Sequence, residues 1–188
     1  MSAAVFSAVV RAAEPAIFDA HLHYSPADAA RLGPEGVLGI LDRNRITRAV
    51  VSSPPGPHLE ALHRHAPERI LPFLSVYRTP SDKRDWMHDP DLPGRVERAL
   101  EAGIYRGIGE IHIFAPDRDS PVLRRLVEIA AHRGLVLQVH GDPAVIDTVL
   151  AIAPELDVLW AHMGTRPEPA FLREVLARHP EGLYLDTS

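Results

Sequence analysis

Cysteine is absent from this chain, which removes disulfides, thiolate metal ligands and cysteine nucleophiles together. Any metal must therefore sit on His, Asp or Glu. Lysine occurs once against 19 arginines, a bias that by itself indicates no function. Lysine and arginine together number 20 against 25 acidic residues, a formal charge of −5. The broad cationic field needed for sequence-independent nucleic-acid binding is thus missing, and a nucleic-acid partner is disfavoured. No run approaches the roughly 18 apolar residues of a membrane helix, so no membrane span is expected. The apolar opening, Ser2 to Ala13, has no basic n-region and carries Arg11 late. It reads as a leader or a first amphipathic turn with a cytoplasmic protein behind it; a working signal would instead place the product in the periplasm or outside the cell.

What is present is ordinary globular material, 46% hydrophobic and 24% charged over 188 residues, expected to form one domain over residues 1–188. The unusual counts are 11 histidines and 18 prolines. Short apolar runs alternate with stretches of helical periodicity. The predicted strands are Ala16 to His21, Arg48 to Ser53, Ile70 to Tyr77, Gly107 to Ile113, Leu135 to His140, Val158 to His162 and Leu183 to Thr187. The predicted helices are Gly36 to Asn44, His58 to His65, Leu92 to Ala102, Ser120 to Arg133, Pro143 to Ala151 and Pro169 to His179, with Gly103 and Gly134 as stops and Ser120 followed by Pro121 as a cap. No hairpin signal joins neighbouring strands, so they should be parallel with helical crossovers.

Such a chain makes either an open doubly wound sheet or a closed barrel. Nearly every run ends on a chemically capable side chain: His21 and His23, Ser52, Tyr77, Glu110 and His112, His140, His162 and Asp186. A barrel brings all those ends to one mouth, whereas an open sheet gathers only those near its switch point. A (β/α)8 TIM-barrel type is therefore expected.

The motif FDAHLHY places His21 and His23 on one strand face with one residue between them, a spacing that suits a shared divalent ion. In GIGEIH, Glu110 has no local polar partner, and a buried Glu requires a cation or a metal. His112 shares its face and can reach substrate or metal; Arg106 has the same parity lower on the strand. VLQVHGD and VLWAHMG end in His140 and His162. Burial favours neutral imidazole, the commonest metal ligand, so four His and one Glu match a divalent site such as zinc, with manganese or another ion as alternatives. Arg78 and Arg106 are candidates for pairing with a substrate carboxylate. Trp86, Met87 and His88 form a candidate lid.

FDAHLHY, GIGEIH, VHGD, WAHMG and LYLDTS, in this order from about Ile17 to Ser188, resemble the amidohydrolase-related group of the metal-dependent amidohydrolase superfamily. The resemblance implies a barrel with His21 and His23 on strand 1, His140 on strand 5 and His162 near the metal on strand 6. Glu110 on strand 4 is similar to the metal-bridging Glu of TatD-like hydrolases, so one or two ions are implied. It also implies a small-molecule substrate attacked by activated water, with His162 beside the developing oxyanion; a decarboxylase, a TatD-like phosphodiesterase and an inactive metal-binding remnant are the alternatives. The family's last ligand, an Asp from strand 8, has no counterpart: landmarks at 21, 51, 75, 110, 140, 162 and 186 leave Asp186 on strand 7. Truncation is the preferred explanation, the others being that Asp186 substitutes or that a partner closes the barrel. Unpaired edges on strands 1 and 7 would invite self-association.

Overall fold

In a computed structural model, which describes residues 16–188, seven strands alternate with helices. The strands are β1 (Ile17–His23), β2 (Ile46–Ser53), β3 (Ile70–Leu74), β4 (Gly107–Ile113), β5 (Val136–Gly141), β6 (Val158–Trp160) and β7 (Leu183–Leu185). They lie in the order β1-β2-β3-β4-β5-β6-β7, and every neighbouring pair is parallel. The segment Ser2 to Ala13 falls outside the described residues. Among the described residues no helix is long and apolar enough to cross a membrane.

The helices are α1 (Pro26–Arg31), α2 (Pro34–Arg43), α3 (Pro57–His65), α4 (Leu92–Leu100), α5 (Pro121–Arg133), α6 (Pro143–Ile152) and α7 (Pro169–Arg178). Each of these seven has proline at its first or second position. The ring presets the helical φ, and the missing N–H is one that no carbonyl would have received. Much of the high proline count is thus helix-start punctuation. Ser120 caps α5 as its motif predicts, accepting from Val122 N and Leu123 N, and Gly134 ends it in the left-handed region at φ 62°. α1 was not predicted. Its signal is Ser25 and Asp28, which form a reciprocal capping box.

The core lies on both faces of the sheet. Ile108, Ile111 and Ile113 of β4 and Leu137 and Val139 of β5 are fully buried against Leu123, Leu126 and Val127 of α5 and Ile146 and Val149 of α6. Burial on both faces explains the near-continuous apolar strands. Three strands end earlier than predicted, β3 at Leu74, β6 at Trp160 and β7 at Leu185. On β6 the reason is a turn: His162 and Met163 both take φ of 57° and Gly164 follows at 74°, which stops the ladder.

In a flat sheet the six steps from β1 to β7 would span about 29 Å. Yet Nδ1 of His21, on β1, is 3.0 Å from Oδ2 of Asp186, just past β7. The sheet therefore curls into a barrel of seven strands, with β1 and β7 as its edges. Phe18 on β1 and Tyr184 on β7 are among the exposed large side chains.

Trp160 is fully buried and donates from Nε1 to the Gly141 carbonyl. Trp160→Ala should lower unfolding free energy by about 3–5 kcal/mol, and Tyr184→Ala, on the exposed edge, by under about 0.5 kcal/mol. Denaturant titration checks both, and equal effects would contradict this packing.

Candidate metal centre

The carboxyl ends of the strands meet at one mouth. Glu110 is 4% exposed, and five imidazole nitrogens surround its carboxylate. His140 Nδ1 is 2.9 Å and His162 Nε2 3.2 Å from Oε1; His23 Nε2 is 3.4 Å from Oε2, and the Nε2 atoms of His21 and His112 are each 3.6 Å away. His21 Nε2 and His23 Nε2 face each other at 3.1 Å. The rings of His112 and His140 stack at 4.3 Å, and those of His21 and His162 at 4.8 Å.

Local backbone features produce this convergence. A register irregularity between Asp19 and Leu22 of β1 accompanies the inward turn of both its histidines. On β4, Gly109 sits at φ 144° against β5, where an added Cβ would come within 2.6 Å of the Gln138 carbonyl oxygen. Only glycine fits there. Ser52 of β2 donates to the Gly109 carbonyl from below. His162 owes its place to the left-handed turn after β6, a conformation costing a non-glycine residue about 1–3 kcal/mol. Asp186 Oδ1 holds that turn by accepting from His162 N at 2.8 Å.

Asp186 is thus a double positioner, since its Oδ2 also fixes His21 Nδ1 and turns Nε2 towards Glu110. Ser188 adds a third link: its Oγ lies 3.2 Å from His21 Nδ1 and 3.0 Å from His162 Nδ1, and donates to Asp186 at 2.8 Å. No sequence pattern singles out Ser188 for this role. Tyr77 was noted only as a strand-end residue. Its hydroxyl accepts from His112 N at 2.6 Å and lies 3.2 Å from that ring's Nδ1.

The electrostatics follow. Burial works against the Glu110 charge, yet hydrogen bonds from His140, His21 and His23 outweigh it and hold the carboxyl far below its ordinary range. Burial also opposes charge on His21, but Asp186 and Glu110 raise it to about 9. Asp186 pays a similar desolvation cost, and bonds from His21, His162 and Ser188 bring it down to about 2. Burial lowers His112 to about 4, opposed by Glu110 and assisted by Lys83.

Two carboxylates, Glu110 and Asp186, cannot balance five imidazolium ions crowded at one mouth, so the rings cannot all be charged and lone pairs are left to present. That donor set fits a divalent cation. Among the described residues three triads have ligand atoms within 4.8 Å of one another: His21–His162–Asp186, His21–His23–Glu110 and Glu110–His112–His140.

Two expected substrate contacts stand apart. Arg106 is exposed at the opposite end of β4, about 13 Å below Glu110 at ordinary strand rise. Its strand parity matched, but its height did not, so it leaves the candidate set. Arg78 borders the cavity beside the cluster, with its Nε donating to Asp82 at 3.1 Å. The candidate lid is anchored: Trp86 and Met87 are buried, and Trp86 Nε1 donates to the His112 carbonyl at 2.8 Å.

No family profile and no curated protein matches the chain by sequence. Solved structures do match in fold. A protein described as a probable 2-pyrone-4,6-dicarboxylic acid hydrolase from Acinetobacter baumannii, with citric acid bound, aligns at TM-score 0.57 and 16% identity over 91% of this chain and 69% of that one. A second protein of that description, from Pseudomonas putida, aligns at 0.58 and 16% over 89% and 67%. An amidohydrolase from Burkholderia multivorans with zinc bound aligns at 0.53 and 16% over 92% and 69%. The chain therefore has the barrel architecture of these amidohydrolases.

The raised His21 gives the metal-free protein stability that is complete below pH 6.5 and lost as pH rises through about 9. The lowered Asp186 gives stability present above pH 3.8 and lost as pH falls towards about 2. The lowered His112 gives stability that is complete above pH 6.5 and lost as pH falls through about 4, so the melting temperature of the metal-free protein should be highest near pH 6.5 and fall on either side, and Asp186→Asn should remove most of the alkaline decline. Zinc must displace the proton, so its stabilising shift should grow from pH 6 to 8. An alkaline decline unchanged in Asp186→Asn would contradict this electrostatic assignment.

Proposed function

We propose that the protein is a metal-dependent hydrolase of the amidohydrolase superfamily, acting on an ester, lactone, amide or related bond of a small molecule. The observation that carries this reading is the set of imidazoles around one buried carboxylate at the mouth of a curled parallel sheet. Likeness of fold to hydrolases, one of them zinc-bound, supports it. His21, His23, Glu110 and His140 would hold the ion, with zinc the best match to this nitrogen and oxygen donor set. When bound, such an ion lowers the pKa of water towards 7 and polarises a carbonyl.

The chain's own groups then have distinct tasks. Glu110 keeps its negative charge at neutral pH and fixes the orientation of the rings around it. His162, partly exposed at the rim, would donate to a developing oxyanion on exchanging its contact with Glu110. Asp186 acts through His21 and His162, holding the first in one tautomer and the second in its strained turn. Tyr77 supports His112 from behind.

One observation favours a two-ion form. Glu110 belongs to two triads with separate histidine pairs, His21 with His23 and His112 with His140, as a bridging carboxylate would.

Zinc- or manganese-loaded protein should hydrolyse members of a panel of small lactones, esters and amides. His23→Ala and Glu110→Gln should each lower kcat/KM by about 100-fold or more and reduce bound metal measured by elemental analysis. A stoichiometry of two ions per chain would support the bridging form, and one ion would exclude it. Metal-loaded protein that turns over no hydrolysable substrate would contradict the hydrolase reading.

A further inference from the structure

A cavity of about 370 Å³ opens beside the cluster, touching His23 and Glu110 and walled by Tyr24, Ser52, Tyr77 and Ser75. Two cations border it, Arg78 and Lys83. They differ in what already satisfies them. Asp82 receives the Arg78 Nε at 3.1 Å and its backbone N at 2.9 Å, and also takes a bond from Thr79 Oγ1 at 2.7 Å. The Asp82 carboxylate thus offsets the Arg78 charge through Nε, although the terminal nitrogens of that guanidinium stay exposed.

Lys83 has no carboxylate partner among the described residues. Its Nζ lies 3.5 Å from His112 Nε2 and 5.6 Å from the centre of the Tyr77 ring. The short helical turn that carries it, Pro80–Arg84, is fixed on both sides. Asp82 ties its start to Arg78 and Thr79. Beyond its end, buried Trp86 bonds the His112 carbonyl, and Ser120 Oγ donates to the Met87 carbonyl at 2.6 Å. The ammonium is therefore placed one imidazole away from Glu110, between cluster and cavity. In a chain that otherwise uses only arginine, the single lysine stands at this point.

We infer that Lys83 anchors a carboxylate of the substrate, so that the site takes a small carboxylate-bearing molecule lying in the cavity with its reacting bond at the histidine cluster. A compact, rotatable ammonium offers up to three donors to such a group. One free cation balances a monoanionic carboxylate, whereas a phosphate dianion calls for more positive charge than the cavity supplies. The inference rests on the hydrolase reading and names the substrate class for that site.

The test uses the fact that Lys83 and the N-terminus are the only aliphatic amines. Acetylation at residue 83 is followed by peptide mass spectrometry with glutarate, benzoate or phthalate present, each compared with its amide. At least one carboxylate should slow labelling of Lys83 several-fold, its amide should not, and the N-terminal amine should be unaffected. The protecting carboxylate should bind Lys83→Met at least tenfold more weakly by calorimetry, Lys83→Arg should recover part of the affinity, and both variants should keep the parent's metal content. Absence of protection by every carboxylate would overturn the inference, as would unchanged binding to Lys83→Met. Failure of the parent to hold metal would count against the ligand set instead, and the labelling comparison is independent of it.

Discussion

The constraint on which this structure turns is the convergence of imidazoles on the buried carboxylate of Glu110. Two carboxylates, Glu110 and Asp186, can compensate about two positive charges, so the five histidines cannot all be protonated. The remaining rings must donate to one another, to Glu110, to Asp186 or to a shared cation. His21 and His23, with nitrogens 3.1 Å apart, illustrate the choice: they share a proton, or they share an ion. A cation satisfies the whole group simultaneously.

The fold supplies the geometry that makes this crowding possible. Curling brings the carboxyl ends of β1 and β7 to the same mouth, so that the side chains of residues 21 and 186 touch although their strands are at opposite ends of the sheet order. The glycine-lined passage of β4 past β5 lowers Glu110 into the mouth, and the left-handed turn after β6 delivers His162. The strain of that turn is offset by the bond from its backbone to Asp186. The same carboxylate thus links the last strand to the first histidine and to the sixth strand's turn.

Much of this was legible in the sequence because parallel barrels place polar residues at strand ends, and these runs end in His, Glu or Asp. The alternation of apolar runs with proline-started helical stretches marked the βα units. Side-chain parity put His21 and His23 on one side. Parity states the face of a strand but not the height along it, which is why Arg106 was grouped with Glu110 although it lies at the other end of β4. Non-glycine residues in the left-handed region carry no sequence mark, so the expected strand runs to His162, where the turn has already begun. Ser188 and Lys83 reach the site from separate segments through contacts that no local pattern encodes, and the strand-end position of Tyr77 does not reveal its bond to His112. Trp86, Met87 and His88 read as a candidate lid because they lie in the long stretch after β3; the burial of Trp86 and its bond to the His112 carbonyl pin that segment instead.

The central claim is that these side chains enclose one or two divalent cations at a single place. Anomalous diffraction from crystals grown with zinc and measured on both sides of the zinc edge locates such ions directly. The account predicts an anomalous peak within coordinating distance of Glu110 and the nitrogens of His21, His23 and His140. Zinc bound only elsewhere on the protein, with the same imidazoles hydrogen-bonded around an ion-free Glu110, would contradict it.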